Sequence, residues 1–184
     1  MLPSNTTSIK QAAFMELLLP LQRRLEKFAY SMTHDEDEAK DLVQDTILSA
    51  WQHFDNVRDH AAFRSYLFSI CSNSYKRKYT RAKLFGLFTE DLHETLASST
   101  LAPDDATDTV FVYQALAKLP YKYREALIMH EITGLTVEEI RAVQGGTASA
   151  IKVRLMRGRK MLAKLLGVHS EHSLSVQPAP SKGF

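Results

Sequence analysis

Residues 39–51, AKDLVQDTILSAW, place apolar side chains at Ala39, Leu42, Val43, Ile47 and Ala50. That three-and-four spacing is one face of a helix, not the twofold alternation of a strand. Thr46 falls inside the stripe, and Trp51 and Phe54 extend it. The other side carries Asp41, Gln44 and Asp45, and is either solvated surface or a docking face. Just upstream, Thr33 or Asp35 is placed to cap the helix, and the acidic residues of DEDE complement its positive end.

The same period runs outward in both directions. Only 7 of the 184 residues are glycine, and the strings between turn signals keep the helical spacing, so the chain is predicted to be all-α. A first helix is expected over about 9–19. Pro20 either starts a second helix or kinks one long helix, because proline lacks the amide hydrogen of an interior position. That second piece, to about Met32, should bury Leu21, Leu25, Phe28 and Ala29. Beyond the opening stretch, HFDNVRDHAA is polar and turn-prone. A further helix from about Asp59 or His60 repeats Phe63, Tyr66, Leu67, Ile70 and Ser74 and ends in the basic run KRKYTRAK. With Tyr75 and Tyr79 beside Lys76, Arg77, Lys78, Arg81 and Lys83, that run could track a phosphate backbone while the rings stack on bases. Positive charge at a helix C-terminus is also favourable without any ligand.

Between Leu84 and Asp108 the pattern breaks into Gly, Pro, Ser, Thr and Asp with isolated apolar residues, the composition of a flexible linker. The expected organisation is therefore two small helical domains, 9–83 and 109–168, joined by a linker at 84–108, with a disordered tail at 169–184. Two units of this size would each have a thin core. Composition, 45% hydrophobic and 24% charged, is that of a globular chain, and a net charge of +2 argues neither for nor against nucleic acid. No stretch approaches the roughly 18 apolar residues of a membrane span, and the N-terminus lacks the pattern of a secretion signal, so a soluble, cytoplasmic protein is expected. Cys71 sits in an apolar helical pattern without a second thiol, as a small core residue would.

In the second unit, TVEEIRAVQ is followed by Gly145 and Gly146 and then by TASAIKVRLMRGRKMLAKLLG, the layout of a helix-turn-helix. Thr136 and Glu139 have the spacing of a capping box, the glycines free the backbone for the turn, and Thr147 or Ser149 can cap the next helix. From Thr147 to Leu166 there are six basic residues, Lys152, Arg154, Arg157, Arg159, Lys160 and Lys164, and no acidic ones. Ile151, Leu155, Leu162 and Leu165 are expected on the buried side. Such a helix fits major-groove insertion, with cations on phosphates and short polar residues near base edges. The plainer alternative is a solvated basic face closing a small bundle.

The order of parts, carried by AKDLVQDTILSAW, FRSYLFSICSNSYKR, LPYKYREALIMHEITGLTVEEI and IKVRLMRGRKML, resembles the sigma-70 family of bacterial transcription initiation factors, in its small extracytoplasmic-function (ECF) group. The resemblance covers roughly residues 14–81 and 110–166. It implies two helical domains, region 2 and region 4, that direct core RNA polymerase to promoters, with no catalytic role and no cofactor or metal. It implies that Asp41, Leu42, Gln44, Asp45 and Leu48 meet the β′ clamp helices of the polymerase, where carboxylates would pair with arginines. The loop at His53, Phe54, Asp55, Asn56 and Arg58, with Phe63, Tyr66, Asn73, Lys76 and Arg77 beyond it, matches the part that captures a flipped base of the −10 element and follows the non-template strand. Thr147, Ser149, Ala150, Lys152, Val153, Arg154, Arg157 and Arg159 match the −35 recognition helix.

Further implied partners are the polymerase β flap, promoter DNA and an anti-sigma factor, with no membrane insertion. The chain departs from common family residues at Tyr66, often tryptophan, at Arg141, usually small, at Gln144, usually leucine, and at Ser149 and Ala150, often Gly-Thr. A stand-alone helix-turn-helix regulator is the competing reading. An enzyme is disfavoured, since no phosphate-cradling glycine loop, His/Glu metal spacing or nucleophile elbow occurs. His169 and His172 have no third ligand nearby.

Overall fold

The computed structural model describes residues 5–57, 59–84 and 106–167; the readings made for Arg58, for 85–105 and for the tail from His169 lie outside them. The helices are α1 (Asn5–Thr33), α2 (Glu36–Gln52), α3 (Phe63–Leu84), α4 (Ala106–Ala117), α5 (Tyr121–Leu127), α6 (Val137–Gln144) and α7 (Ala148–Leu165). Short 3₁₀ turns at Phe54–Asn56 and His60–Ala62 lie between α2 and α3, and a π turn at Ile128–Ile132 prolongs α5. Among the described residues there is no strand.

Pro20 starts no new helix: α1 runs through it unbroken. Both Pro20 and Glu16, whose carbonyl loses its partner, are exposed, so water can take the missing bond. Phe14, Leu18, Leu25, Phe28, Ala29 and Met32 are buried along α1 on both sides of the proline and hold it against the core. Asp35 caps α2, its side chain accepting the Glu38 N–H at 2.8 Å, with Glu36, Asp37 and Glu38 in the first turn. Ala39, Leu42, Val43, Thr46 and Ala50 are buried, as the opening stripe predicts, and Ile47 is partly so. The second unit begins at Ala106, three residues ahead of the expected start at Thr109.

The two units do not keep separate cores. One contiguous apolar cluster runs from Phe14, Phe28 and Phe68 to Leu127, Ile128, Ile140 and Ile151. The reason lies in α3, which has two faces to bury. At 100° per residue, Arg64, Phe68, Ser72, Tyr75 and Tyr79 share a stripe about 80° wide, and Arg64, Ser72 and Tyr75 reach α5 and the α5–α6 turn through side-chain hydrogen bonds. Tight packing recurs inside the second unit. Gly158 of α7 is buried, and a Cβ there would come within 3.1 Å of Leu127 on α5.

His34, between α1 and α2, has φ of 57°, a left-handed backbone uncommon outside glycine. Both its ring nitrogens are buried without a hydrogen-bond partner among the described residues, and its ring lies 5.6 Å from that of Tyr113 on α4. Burial, and secondarily the charge of Arg124, lower its pKa from 6.5 to about 4. Between those values the unfolded chain binds the proton first, so stability is full above pH 6.5 and is lost as pH falls towards 4. We expect a loss of about 2 kcal/mol between pH 7 and pH 5 from this residue. Urea titrations of wild type and of His34→Asn, which tolerates positive φ and does not titrate there, should differ in slope over that window. Equal slopes would remove His34 as the cause.

Candidate docking face and nucleic-acid interface

On α2, Asp41, Gln44, Asp45 and Leu48 are all exposed, Leu48 at 55% despite being apolar. Lys40 is drawn to Glu36 at 2.8 Å and Asp37 at 3.7 Å, and Asp41 has no ion pair among the described residues. Asp45 lies 3.9 Å from Lys78 of α3, a loose, exposed contact. Leu42 departs from the expectation. At 1% exposure it belongs to the core, because positions 39, 42, 43, 46 and 50 are the side of the helix turned inward.

The turn after α2 stands on an aromatic floor. Phe14 meets Trp51 at 5.3 Å, Phe54 at 5.2 Å and Phe63 at 5.8 Å, all edge to face. Phe54 also stacks on His60 at 5.7 Å. Such pairs add to the area they bury. Phe54 and Phe63, placed among the DNA-contacting residues by the sequence, are 6% and 1% exposed and can only support the loop from beneath. His53, Asp55 and Asn56 are exposed above them. Lys10 fixes the loop to α1, its Nζ lying 2.6 Å from Asp55 and 4.7 Å over the Trp51 ring. Tyr66 is half-buried beside Phe63, and burial raises its hydroxyl pKa.

Further along α3, Asn73, Lys76 and Arg77 are exposed, Arg77 donating to Ser74 at 3.2 Å. The two tyrosines of the basic run are arranged otherwise than a base-stacking platform requires. Tyr75 and Tyr79 stack on Tyr121 of α5 at 6.2 and 6.3 Å, and Arg124 donates to the Tyr75 hydroxyl at 3.3 Å.

In the second unit the capping box of Thr136 and Glu139 is present, and Thr147 rather than Ser149 caps α7. Gly145 and Gly146 adopt φ of 72° and 94°, backbone that favours glycine at the turn. Ser149, Lys152, Val153, Arg157 and Arg159 are exposed on α7, with Ala150 and Arg154 partly covered. Arg159 holds Glu131 through two contacts of 2.9 and 2.7 Å. Arg141 pairs with Glu138 at 2.7 Å.

Arg154 donates to the Gln144 side chain at 3.1 Å. Leu165, expected inside, is 45% exposed, and with Phe111, Gln114, Ala115, Lys118 and Leu166 it lines a shallow groove between α4 and α7. The chance that α7 continues its buried stripe to Leu165 fails because α4 covers only part of that end.

Sequence reasoning missed the residues that join the units. Glu125, 4% exposed, accepts from Ser72 of α3, from the Tyr121 hydroxyl at 2.7 Å and from Gln144 at 2.6 Å. The available signal was a single carboxylate set against the apolar run of Ala126, Leu127 and Ile128. Cys71 is fully buried and its thiol pKa is pushed up to about 12 by burial, which makes it unreactive. No described helix is long and apolar enough to cross a membrane, and no described cluster of His, Cys, Asp and Glu could hold a metal ion.

Residues 17–84 match the family Sigma-70 region 2, and residues 112–162 match Sigma-70, region 4. The chain belongs to the sigma-70 family, in its ECF group. It is 31% identical to the ECF RNA polymerase sigma factor EcfG of Rhodopseudomonas palustris, over 78% of this chain and 80% of that one. It is 30% identical to the RNA polymerase sigma factor CnrH of Cupriavidus metallidurans, over 92% and 95% of the two chains. Among solved structures, it resembles the sigma factor RpoE of Bartonella quintana in complex with the anti-sigma factor NepR. There the TM-score is 0.71 and the identity 31%, across 85% of this chain and 98% of that one. CnrH in complex with the cytosolic domain of CnrY gives a TM-score of 0.65 at 29% identity, across 87% and 91%. The sigma factor's α1–α3 unit is thus its region 2 and the α4–α7 unit its region 4, and it acts in directing transcription initiation.

Proposed function

We propose that this sigma factor docks on core RNA polymerase through the exposed side of α2, reads the −35 element with α7 and captures an unstacked −10 base at the loop 53–59. The observation that carries the reading is the division of α2. One side is core, and the other presents Asp41, Gln44, Asp45 and an uncovered Leu48, an acidic surface with an apolar anchor. A basic helical hairpin of the polymerase would pair with those carboxylates and cover the leucine. Asn73, Lys76 and Arg77 extend the path of the strand from the loop along α3. On α7, Lys152, Arg157 and the N-terminal Ser149 are free to meet phosphates and base edges. Phe54, Phe63 and Leu42 act as support. An anti-sigma factor is a further partner, supported by the complexes in which the similar sigma factors were solved.

Run-off transcription with purified core polymerase on a promoter library tests the reading. Specific start sites should appear only when the factor is added. Absence of specific initiation, with core binding intact in the same preparation, would overturn it.

A further inference from the structure

Arg154 stands aside from the face of α7 that is open to solvent. At 100° per residue, the exposed side chains of Ser149, Lys152, Val153, Met156, Arg157 and Lys160 fill an arc about 140° wide, and Arg154 lies about 60° beyond its edge. Its guanidinium is turned back over the turn between α6 and α7. It donates to the Gln144 side-chain oxygen at 3.1 Å and approaches the Gly145 carbonyl at 3.5 Å, and a Cβ on Gly146 would stand 3.6 Å from it.

Gln144, the last residue of α6, is the other half of this arrangement. Its amide nitrogen donates to the Glu125 carboxylate at 2.6 Å and to the Lys122 carbonyl at 3.2 Å, both on α5, while its oxygen receives Arg154 of α7. An amide can join the two because it carries donors and an acceptor at once. Leucine, usual here in the family, could do neither. Glu125 is 4% exposed and also accepts from Tyr121 at 2.7 Å, so it is a fixed post for the amide.

The tie has a mechanical reason. Gly145 and Gly146 both take positive φ, and two glycines in succession leave the backbone free to swivel between the helices. Ile151 and Leu155 hold α7 to the core through apolar contact, which has no direction of its own. A hydrogen-bonded brace across the turn fixes the rotation that those contacts leave open.

We infer that Gln144 and Arg154 are positioning residues for −35 recognition. Braced on Glu125, they set the rotation of α7 so that Ser149 and Val153, near the middle of the exposed arc, meet base edges, and Arg154 itself does not touch DNA. The inference rests on reading α7 as the −35 helix. It separates in measurement from the alternative that Arg154 contacts a phosphate. Losing a phosphate contact weakens all sequences alike and lowers the salt dependence by about one unit. Losing alignment leaves the salt dependence and weakens the preferred sequence most.

Competition binding by the holoenzyme, on a promoter selected from the library and on versions changed at each −35 base pair, reads both quantities. Wild type should lose about tenfold in affinity at each sensitive pair. Arg154→Ala should lose less than about threefold at the same pairs, with its salt slope and helicity unchanged. Arg157→Ala, at the edge of the arc, should instead lower the slope by about one and keep the penalties. Gln144→Leu should reproduce Arg154→Ala, and the double variant should discriminate no worse than either alone. Because Gln144→Leu also strips a donor from Glu125, the exchange of Glu125→Gln with Gln144→Glu is its companion. The exchange keeps an amide-to-carboxylate bond between the two positions and an acceptor facing Arg154, and it should retain the wild-type penalties.

Penalties left intact in Arg154→Ala overturn the inference, and a slope lowered by about one in the same variant makes Arg154 a phosphate contact. A wild-type holoenzyme that shows no −35 discrimination at all overturns the promoter reading of α7, and the inference with it.

Discussion

Changing Asp41 and Asp45 together to lysine should abolish binding to core polymerase while leaving the protein folded. Both side chains are exposed, and neither takes part in capping α2 or in its buried stripe. Of the two, only Asp45 has an ion-pair contact among the described residues, at 3.9 Å and largely in solvent, which contributes little to stability. In the complex the effect is far larger. Removing one member of a desolvated interfacial charge pair costs about 2–5 kcal/mol, and reversal adds repulsion against the partner's cations. Two such changes together correspond to more than about a thousandfold loss of affinity. Pull-down or interferometry with purified core polymerase measures it, with circular dichroism as the control for folding. Persistent binding would make the acidic side of α2 simple solvated surface.

Phe14→Ala should have a large effect on stability. Its ring is the common neighbour of Trp51, Phe54 and Phe63, and it is 4% exposed. Truncating a buried phenylalanine costs about 3–5 kcal/mol through lost burial and the cavity left behind. For a chain of this size that is a fall of roughly 6–20 °C in Tm. The functional effect should be confined to the loop above the ring. Below the melting temperature the variant should still bind core polymerase through α2. It should initiate poorly on duplex promoters and recover on templates already unpaired around −10. A Tm within 2 °C of wild type would mean that the loop does not rest on this ring.

How much of this was legible in the sequence depends on how many elements each helix touches. The α2 stripe has one buried side and a clean period, so Ala39, Leu42, Val43 and Ala50 could be placed inside from spacing alone. The capping box at Thr136 and the glycine turn were equally plain, because both depend on residues within one short stretch. Helix α3 was read less fully. With apolar or amphipathic residues around much of its circumference it has no single face, and its second stripe became meaningful only once α5 and α6 lay against it. Tyr75 and Tyr79 suggested stacking on bases from their basic neighbours, yet Tyr121, more than 40 positions away, takes their faces.

Family resemblance had a related bias. It marked Leu42, Phe54 and Phe63 by position within motifs, and burial separates these supports from the exposed residues beside them. Gln144 was visible only as a departure from leucine. Its amide finds partners on two helices, Glu125 on α5 and Arg154 on α7, which no local pattern could indicate.

Trp51 is the chain's only tryptophan, half-buried against Phe14 with the Lys10 ammonium over its ring. Its indole emission therefore comes from a single place, the ground beneath the 53–59 loop, without any added fluorophore. The seam between the regions carries tyrosines instead. Excitation in the red edge of the ultraviolet absorption would thus follow movement of the loop with no contribution from those tyrosines. One unmodified protein can in this way report, by colour and quenching, when the loop moves.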